Sequence, residues 1–273
     1  PPRPSPRRLS WTWTVTASVT MNRVDLLRLM QDSKLHRIPL LDTSDRVVGL
    51  STIEDLIPRE PTRLQAVIMA GGLGTRLRPL TEDMPKPMLP VGDRPMMEFL
   101  IDQLRDSGVH RVNVTTHYKQ ESITSHFGDG AAFGVDLQYV SEDRPLGTAG
   151  AIALLEESDD PLLVINGDIL TQVDFKAMLS YHREHEADLT FGVRQFDFEV
   201  PYGVVTTDGT CISGLEEKPT VEFFVNAGIY LLQPQVRQSI VKGEKLDMTE
   251  LIQKLLDEGR TVASFLIREY WLD

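Results

Sequence analysis

Short apolar runs alternate with amphipathic stretches over most of the chain. Ala66-Val67-Ile68-Met69-Ala70 is a continuous apolar run ending in Gly71-Gly72, the pattern of a strand buried on both faces of a parallel sheet. Similar runs predict strands at Val112 to Thr116, Val135 to Val140 and Leu162 to Ile165. Helices are predicted at Pro95 to Ser107, Gln120 to Phe127 and Thr148 to Leu155. Such alternation implies right-handed βαβ crossovers, so the expected fold class is α/β, with a mostly parallel central sheet and helices on both faces. After Ala187 the pattern changes. Leu189 to Val193, Gly203 to Thr206, Ile212 to Glu217 and Val225 to Leu232 read as strands with few helices between them, a lobe added to the sheet. Ligands of such sheets sit at the carboxyl ends of strands, where Gly71 to Thr81 and Asp168 both fall.

The first part of the chain is built differently. Pro1 to Arg8 is basic and proline-rich and is expected to be disordered. No apolar core follows it, so it is not a secretory signal. Trp11 to Thr20 alternates apolar residues with Thr or Ser, a period-2 strand pattern. Val24, Leu27, Met30 and Leu35 place an apolar stripe on a helix from about Asn22. Arg37 to Leu41 and Arg46 to Leu50 are short strands joined by the polar turn Asp42 to Asp45, and Ser51 or Thr52 opens a helix through Leu56. Pro58 and Pro61 bracket charged residues, as in a linker. The expected organisation is a tail over 1–20, a small α+β segment over 21–58, a linker over 59–63 and a large α/β domain over 64–273. The ending Trp271-Leu272-Asp273 directly follows a strand-like run and reads as a C-terminal truncation.

The segment over 21–58 resembles one CBS repeat, including the ending Gly49-Leu50-Ser51-Thr52-Ile53-Glu54-Asp55. In CBS pairs the Thr and Asp of that ending, here Thr52 and Asp55, often hold the ribose and phosphate of an adenine nucleotide. The same spacing equally satisfies a helix N-cap with an acidic first turn. CBS repeats bind ligand as pairs and one is visible here, so a structural or dimerising role stands ahead of nucleotide binding.

Composition narrows the function. With 41% hydrophobic and 25% charged residues the chain is of ordinary globular type. Its formal charge of −12 argues against a general affinity for nucleic acid. An acidic protein still binds phosphates where a few Arg and Lys gather at one cleft. No run of about eighteen apolar residues occurs, so no membrane-spanning helix is expected. The single cysteine, Cys211, excludes an intramolecular disulfide and fits a reducing, cytoplasmic setting.

The candidate chemistry begins at Gly71-Gly72-Leu73-Gly74-Thr75-Arg76-Leu77-Arg78-Pro79-Leu80-Thr81. Glycines let backbone N–H groups approach phosphate oxygens closely. The dinucleotide fingerprint needs a third glycine three residues beyond Gly74, where Leu77 stands, and no Gly-Lys-Ser/Thr of a P-loop occurs. What remains is a loop that delivers Arg76, followed by Pro85-Lys86-Pro87-Met88-Leu89-Pro90. Pro87 is expected to hold Lys86 on extended backbone. Asp168 ends an apolar strand, and a buried lone carboxylate is costly without a partner.

These two motifs resemble the signature of sugar-1-phosphate nucleotidyltransferases of the mannose-1-phosphate guanylyltransferase kind, and the likeness runs from about Leu64 to Asp273. Further islands carry it: Pro145 to Gly150, Asn166-Gly167-Asp168, Tyr202 to Val205, Glu216 to Pro219, Asn226 to Tyr230 and Trp271-Leu272-Asp273. The resemblance implies a Rossmann-like nucleotidyltransferase fold with a sugar-binding lobe. It implies that an oxygen of a sugar-1-phosphate attacks the α-phosphorus of an NTP and that pyrophosphate leaves. That nucleophile is already anionic near neutral pH, so no general base is needed; cations and alignment are.

By the resemblance, Gly71, Gly72, Gly74 and Thr75 cradle the triphosphate, Arg76 stabilises departing pyrophosphate and Lys86 neutralises charge at the α-phosphate. Gly147 and Thr148 lie against the base, and Gly203, Glu217, Lys218 and Asn226 hold the sugar phosphate. Asp168 and Asp273 hold Mg²⁺. The form Leu146-Gly147-Thr148-Ala149-Gly150 is more similar to guanylyl-transferring members than to thymidylyl or uridylyl ones, which points to GTP with mannose-1-phosphate or an amino sugar-1-phosphate. A homo-oligomer is compatible with the resemblance. A glycosyltransferase is the rival class, but it is expected to show Asp-x-Asp where Asn166-Gly167-Asp168 stands. A non-catalytic regulatory paralogue can lose the cations, whereas Arg76, Lys86 and Lys218 are all present.

Overall fold

The computed structural model describes residues 15–56, 62–72, 74, 77–117 and 119–272, leaving the side chains of Glu54 and Asp55 undescribed. The chain divides into two compact units, Pro1–Glu60 and Pro61–Asp273.

In the first unit, β1 (Ala17–Ser18), α1 (Arg23–Ser33), β2 (Arg37–Leu41), β3 (Val47–Thr52) and α2 (Ile53–Leu56) follow in order. Strand β2 pairs parallel with β1 and antiparallel with β3. The side chain of Asn22 accepts from the N–H of Asp25 and caps α1, satisfying a donor that the helix itself leaves open. The core is Ala17, Leu26, Met30, Ile38 and Leu56. Of the expected stripe, Met30 and Leu27 pack on the core while Val24 and Leu35 do not. Val24 is 59% exposed and Leu35 37%, because Leu26 and Met30, four apart and so on one face, turn the helix inward with Leu27 beside them. Of the strand expected over Trp11 to Thr20, β1 covers two residues, and 11–14 lie outside the described residues.

The second unit opens with β4 (Gln65–Met69), β5 (Pro90–Val91) and β6 (Arg94–Pro95), then α3 (Met96–Asp106), β7 (Arg111–Thr116), α4 (Gln120–Phe127) and β8 (Asp136–Ser141). Next come α5 (Gly147–Gly150), β9 (Leu162–Asn166), β10 (Leu170–Thr171), α6 (Phe175–Glu184) and β11 (Leu189–Glu199). The remainder is β12 (Val204–Asp208), β13 (Cys211–Glu216), β14 (Thr220–Leu232), α7 (Pro234–Gln238), α8 (Met248–Asp257), β15 (Val262–Leu266) and β16 (Trp271–Leu272).

One sheet, ordered β15-β11-β14-β9-β4-β7-β8, forms the centre. It is mixed: β9, β4, β7 and β8 run parallel, β15 is parallel to β11, and β14 is antiparallel to both neighbours. The apolar continuity of β4 has a direct cause. Ala66 and Ile68 join one core with Met97, Leu100, Ile101 and Phe175, while Val67 joins the core on the opposite face with Ile152, Tyr230 and Leu251. Each fully buried Leu or Ile of these layers contributes about 1.5–3 kcal/mol. The helix predicted over Thr148 to Leu155 is one α-turn, α5, continued by a 3₁₀ turn at Ala151–Leu154. Helix α8 did not figure among the expected elements. It shows a capping box, Asp247 with Glu250, and buries Met248, Leu251 and Leu255. Among the described residues no helix is long and apolar enough to cross a membrane.

A buried histidine gives this fold an acid limit. His182 of α6 is 0% exposed. Its Nδ1 lies 2.8 Å from Thr190 Oγ1, and its Nε2 has no partner among the described residues. Burial, helped by Arg183 and opposed by Asp188, lowers its pKa from 6.5 to about 4. The folded pKa lies below the unfolded one, so the fold binds the neutral ring. Its stability is whole above pH 6.5 and falls as pH drops toward 4, by at most about 1.4 kcal/mol per pH unit. Urea melts between pH 4.5 and 7 should show that slope flattened in His182→Gln; parallel profiles would refute the assignment.

Candidate active site

The parallel register Met69↔Asn166 of β4 and β9 brings Gly71 and Asp168 to adjoining strand ends, and Gly167 N–H donates to Met69 O at 2.9 Å. There a cleft of about 260 Å³ is lined by Gly71, Gly72, Glu142, Gly147, Thr148, Asn166, Asp168 and Asp247, with Met69 and Pro145. Open α/β sheets place ligands at this edge.

Lys86 meets Asp168 across this edge, with Nζ donating to Oδ2 at 2.7 Å. Their side chains are 20% and 28% exposed, so Asp168 has the partner its position demands. Lys86 does not lie on the extended backbone expected from Pro87. Residues Lys86–Met88 form a 3₁₀ turn, and Leu89 N–H donates to Lys86 O at 3.0 Å. Pro87 fits near the start of that turn, where its missing N–H has no acceptor to lose.

The wall around Gly147 is tied to the start of α8. Ala149 N–H and Gly150 N–H both donate to Leu246 O at 2.9 Å, and Leu246 N–H donates to Leu146 O at 2.9 Å. Met248 N–H donates to Thr148 Oγ1 at 2.8 Å. Gly147 has φ +76, and a Cβ there would stand 2.5 Å from Asp247 Oδ1 and 2.6 Å from Leu246 O. Both the left-handed backbone and the close approach require glycine.

Glu142 forms the floor. It is 7% exposed, its Oε2 accepts from Leu146 N–H at 3.0 Å, and its backbone carbonyl accepts from His117 Nδ1 at 2.8 Å. Its Oε1 faces Gly71, 2.8 Å from where a Cβ on that residue would sit. Among the described residues no cation pairs with this carboxylate.

The expected residues therefore fall in three places. Gly71, Gly72, Gly147, Thr148 and Asp168 line the cleft, and Lys86 joins it through Asp168. In the glycine loop, Gly74 O accepts from Thr81 Oγ1 at 2.7 Å; Thr75 and Arg76 lie outside the described residues, as does Asp273. Gly203, Glu217, Lys218 and Asn226 are not among the residues lining the cleft. Gly203, Glu217 and Lys218 are exposed around the β12–β13 hairpin, where a Cβ on Gly203 would stand 3.0 Å from Glu217 Oε2. The Asn226 amide donates to Tyr230 Oη at 2.9 Å and accepts from Gly228 N–H at 3.0 Å. In the first unit Thr52 closes β3, and the Asp55 side chain is not described.

Glu142, Asn166 and Asp247 were not anticipated. For Asp247 a signal existed, the capping pattern Asp247-Met248-Thr249-Glu250 ahead of an amphipathic run. Asn166 Oδ1 is buried without a partner among the described residues. Among the described residues no group of three or more His, Cys, Asp or Glu stands ready for a metal.

The chain is similar to known proteins over most of its second unit. The chain is 34% identical over 220 residues to a mannose-1-phosphate guanylyltransferase of Mycobacterium tuberculosis, covering 77% of this chain and 61% of that protein. It is 35% identical over 231 residues to a UTP–glucose-1-phosphate uridylyltransferase of Synechocystis, covering 77% and 60%. It thus spans about three fifths of the length of these curated relatives. The crystal structure of HddC from Yersinia pseudotuberculosis complexed with GMP-PN superposes with a TM-score of 0.60 at 27% identity, covering 77% of this chain and 92% of that one. The family model for nucleotidyl transferases matches residues 65–273, and the chain belongs to that family.

Proposed function

We propose that the second unit transfers a nucleoside monophosphate from GTP to a sugar-1-phosphate, mannose-1-phosphate or an amino sugar phosphate, releasing pyrophosphate. One observation carries the reading: the glycines, Lys86 and Asp168 meet at one strand-end cleft. Backbone N–H groups of Gly71, Gly72, Gly74 and Thr75 cradle the triphosphate. Lys86 neutralises charge at the α-phosphorus as the sugar phosphate closes on it, and Arg76 meets the departing pyrophosphate with its two-pronged guanidinium. Gly203, Glu217, Lys218 and Asn226 hold the sugar phosphate from the outer lobe.

The donor set at the strand end fits Mg²⁺, which takes hard oxygens and keeps waters and phosphates in its shell. Asp168 supplies a carboxylate, and Asn166 Oδ1 is an oxygen of the same wall that has no partner among the described residues. The antiparallel pairing of Leu170 with Leu272 supports giving the second carboxylate to Asp273. When bound, the ion screens phosphate charge and helps align the two substrates.

Glu142 supports guanine. Among the described residues this buried carboxylate has no cation and one backbone donor, so it takes further donors, and a guanine edge offers a ring N–H beside an exocyclic amine. Uracil and thymine offer a single N–H there. Glu142→Gln removes the anionic acceptor and should lower the ratio of GTP to UTP affinity about 10- to 100-fold. Calorimetric titration of GTP, UTP, dTTP and ATP against both proteins reads this ratio. An unchanged ratio removes Glu142 from base selection, and tight UTP or dTTP binding favours the uridylyl or thymidylyl reading.

For the first unit, the order β1, α1, β2, β3, α2 supports a CBS-like repeat with a structural or dimerising role. Thr52 and Asp55 would meet an adenine nucleotide only where a second repeat completes the pair.

A further inference from the structure

A second cavity, of about 300 Å³, lies in the second unit away from the strand-end cleft. Leu155, Glu157, Ser158, Arg237, Ile240 and Lys242 line it. Arg237 is 6% exposed. Its guanidinium donates to Glu156 O and, at 3.4 Å, to Gln65 Oε1, both neutral acceptors. No carboxylate lies within ion-pair distance of it among the described residues. Burial accordingly holds its pKa below the ordinary arginine value, against the pull of Glu157. Arg237 is a desolvated cation with donors to spare, and Lys242 and Ser158 add donors to the same lining, in which Glu157 is the one carboxylate. Two cations against one carboxylate leave this lining net positive in a chain of net charge −12.

Two chain segments run between the cavity and the strand-end cleft. Residues 147–155 run from Gly147 and Thr148, which line the cleft, to Ala153 and Leu155, which line the cavity. Residues 242–247 likewise run from Lys242 in the cavity to Asp247 in the cleft. The two segments are laced together by the bonds at Leu246, and Arg144 Nη2 adds a bond to Gly243 O at 2.8 Å. A ligand that draws Lys242 toward Arg237 therefore pulls on a segment that forms the base-side wall of the cleft.

We propose that this cavity is an effector site for a phosphate-bearing anion, held by Arg237 and Lys242 and coupled through residues 242–247 to the cleft. Binding is tested first, with inorganic phosphate as probe and thermal melts of the whole chain as readout. Arg237→Gln risks the fold, so Lys242→Glu, at an exposed lysine, is the informative variant. Lys86→Ala controls for phosphate captured in the cleft. Phosphate should raise the midpoint of the wild type and of Lys86→Ala by about 3 °C or more beyond its effect on Lys242→Glu. The general stabilising action of phosphate as a salt is common to all three proteins. Equal shifts in wild type and Lys242→Glu would overturn the site, as would a shift lost in Lys86→Ala but kept in Lys242→Glu. The coupling rests on the proposed function, and its arm is separate: phosphate should change the GTP dissociation constant about fivefold more in wild type than in Lys242→Glu. Equal changes would overturn the coupling, whereas the melts, which contain no nucleotide, report on the site alone.

Discussion

Replacing Lys86 by alanine is expected to lower turnover by at least about 100- to 1,000-fold while leaving the protein folded. On the proposed role, the size follows from removing a preorganised cation that meets charge developing in the transition state. The fold survives because the lysine sits in a short 3₁₀ turn and its ion pair with Asp168 is partly solvated. Loss of the pair leaves Asp168 with only partial access to water, a cost of about 1–3 kcal/mol that a domain of this size survives. Lys86→Arg is the informative companion. It keeps the charge but spreads it over a wider, planar group, so partial recovery is expected. Steady-state rates with circular dichroism melts settle the matter: near-normal turnover in Lys86→Ala removes the residue from the chemistry, and loss of the melting transition would assign it to the fold.

Gly147→Ala should act on both stability and nucleotide binding. The left-handed φ of +76 costs an alanine roughly 1–2 kcal/mol. The new Cβ would stand 2.6 Å from the Leu246 carbonyl, a backbone atom that cannot swing aside. Overpacking of that kind adds about 1–3 kcal/mol. Relief requires parting residues 146–150 from 244–247, which undoes the hydrogen bonds at Leu246 and the cap that Thr148 gives α8. The midpoint should fall by several degrees, and KM for the nucleotide should rise at least about tenfold with kcat less affected. Wild-type values for both would show that this wall does not shape the nucleotide site.

How far the sequence discloses this cleft depends on how local its causes are. Strand β4 is legible because burial on both faces makes Ala66, Val67 and Ile68 all apolar, and the glycines that follow mark the turn. Gly147 is legible as a motif member, but its reason is not: the neighbours that exclude a side chain, Asp247 and Leu246, stand about a hundred residues away in sequence. The same distance hides Asp247 and the capping of Met248 by Thr148. The far half of β14 reads poorly for another reason. Glu222, Phe223 and Phe224 are exposed, so no burial pattern extends the run beyond Val225. The inward turn of α1 is set by what packs on it, and the apolar Val24 points outward.

The account stands on the claim that the strand-end cleft joins two phosphates and expels pyrophosphate. The direct measurement is the stoichiometry of products from GTP, mannose-1-phosphate and Mg²⁺, followed by ³¹P NMR. The account predicts one pyrophosphate for each sugar nucleotide formed, with both products dependent on the sugar phosphate and lost together in Lys86→Ala. GMP or GDP appearing without a sugar nucleotide, or no reaction with any pairing of nucleotide and sugar phosphate, would contradict it.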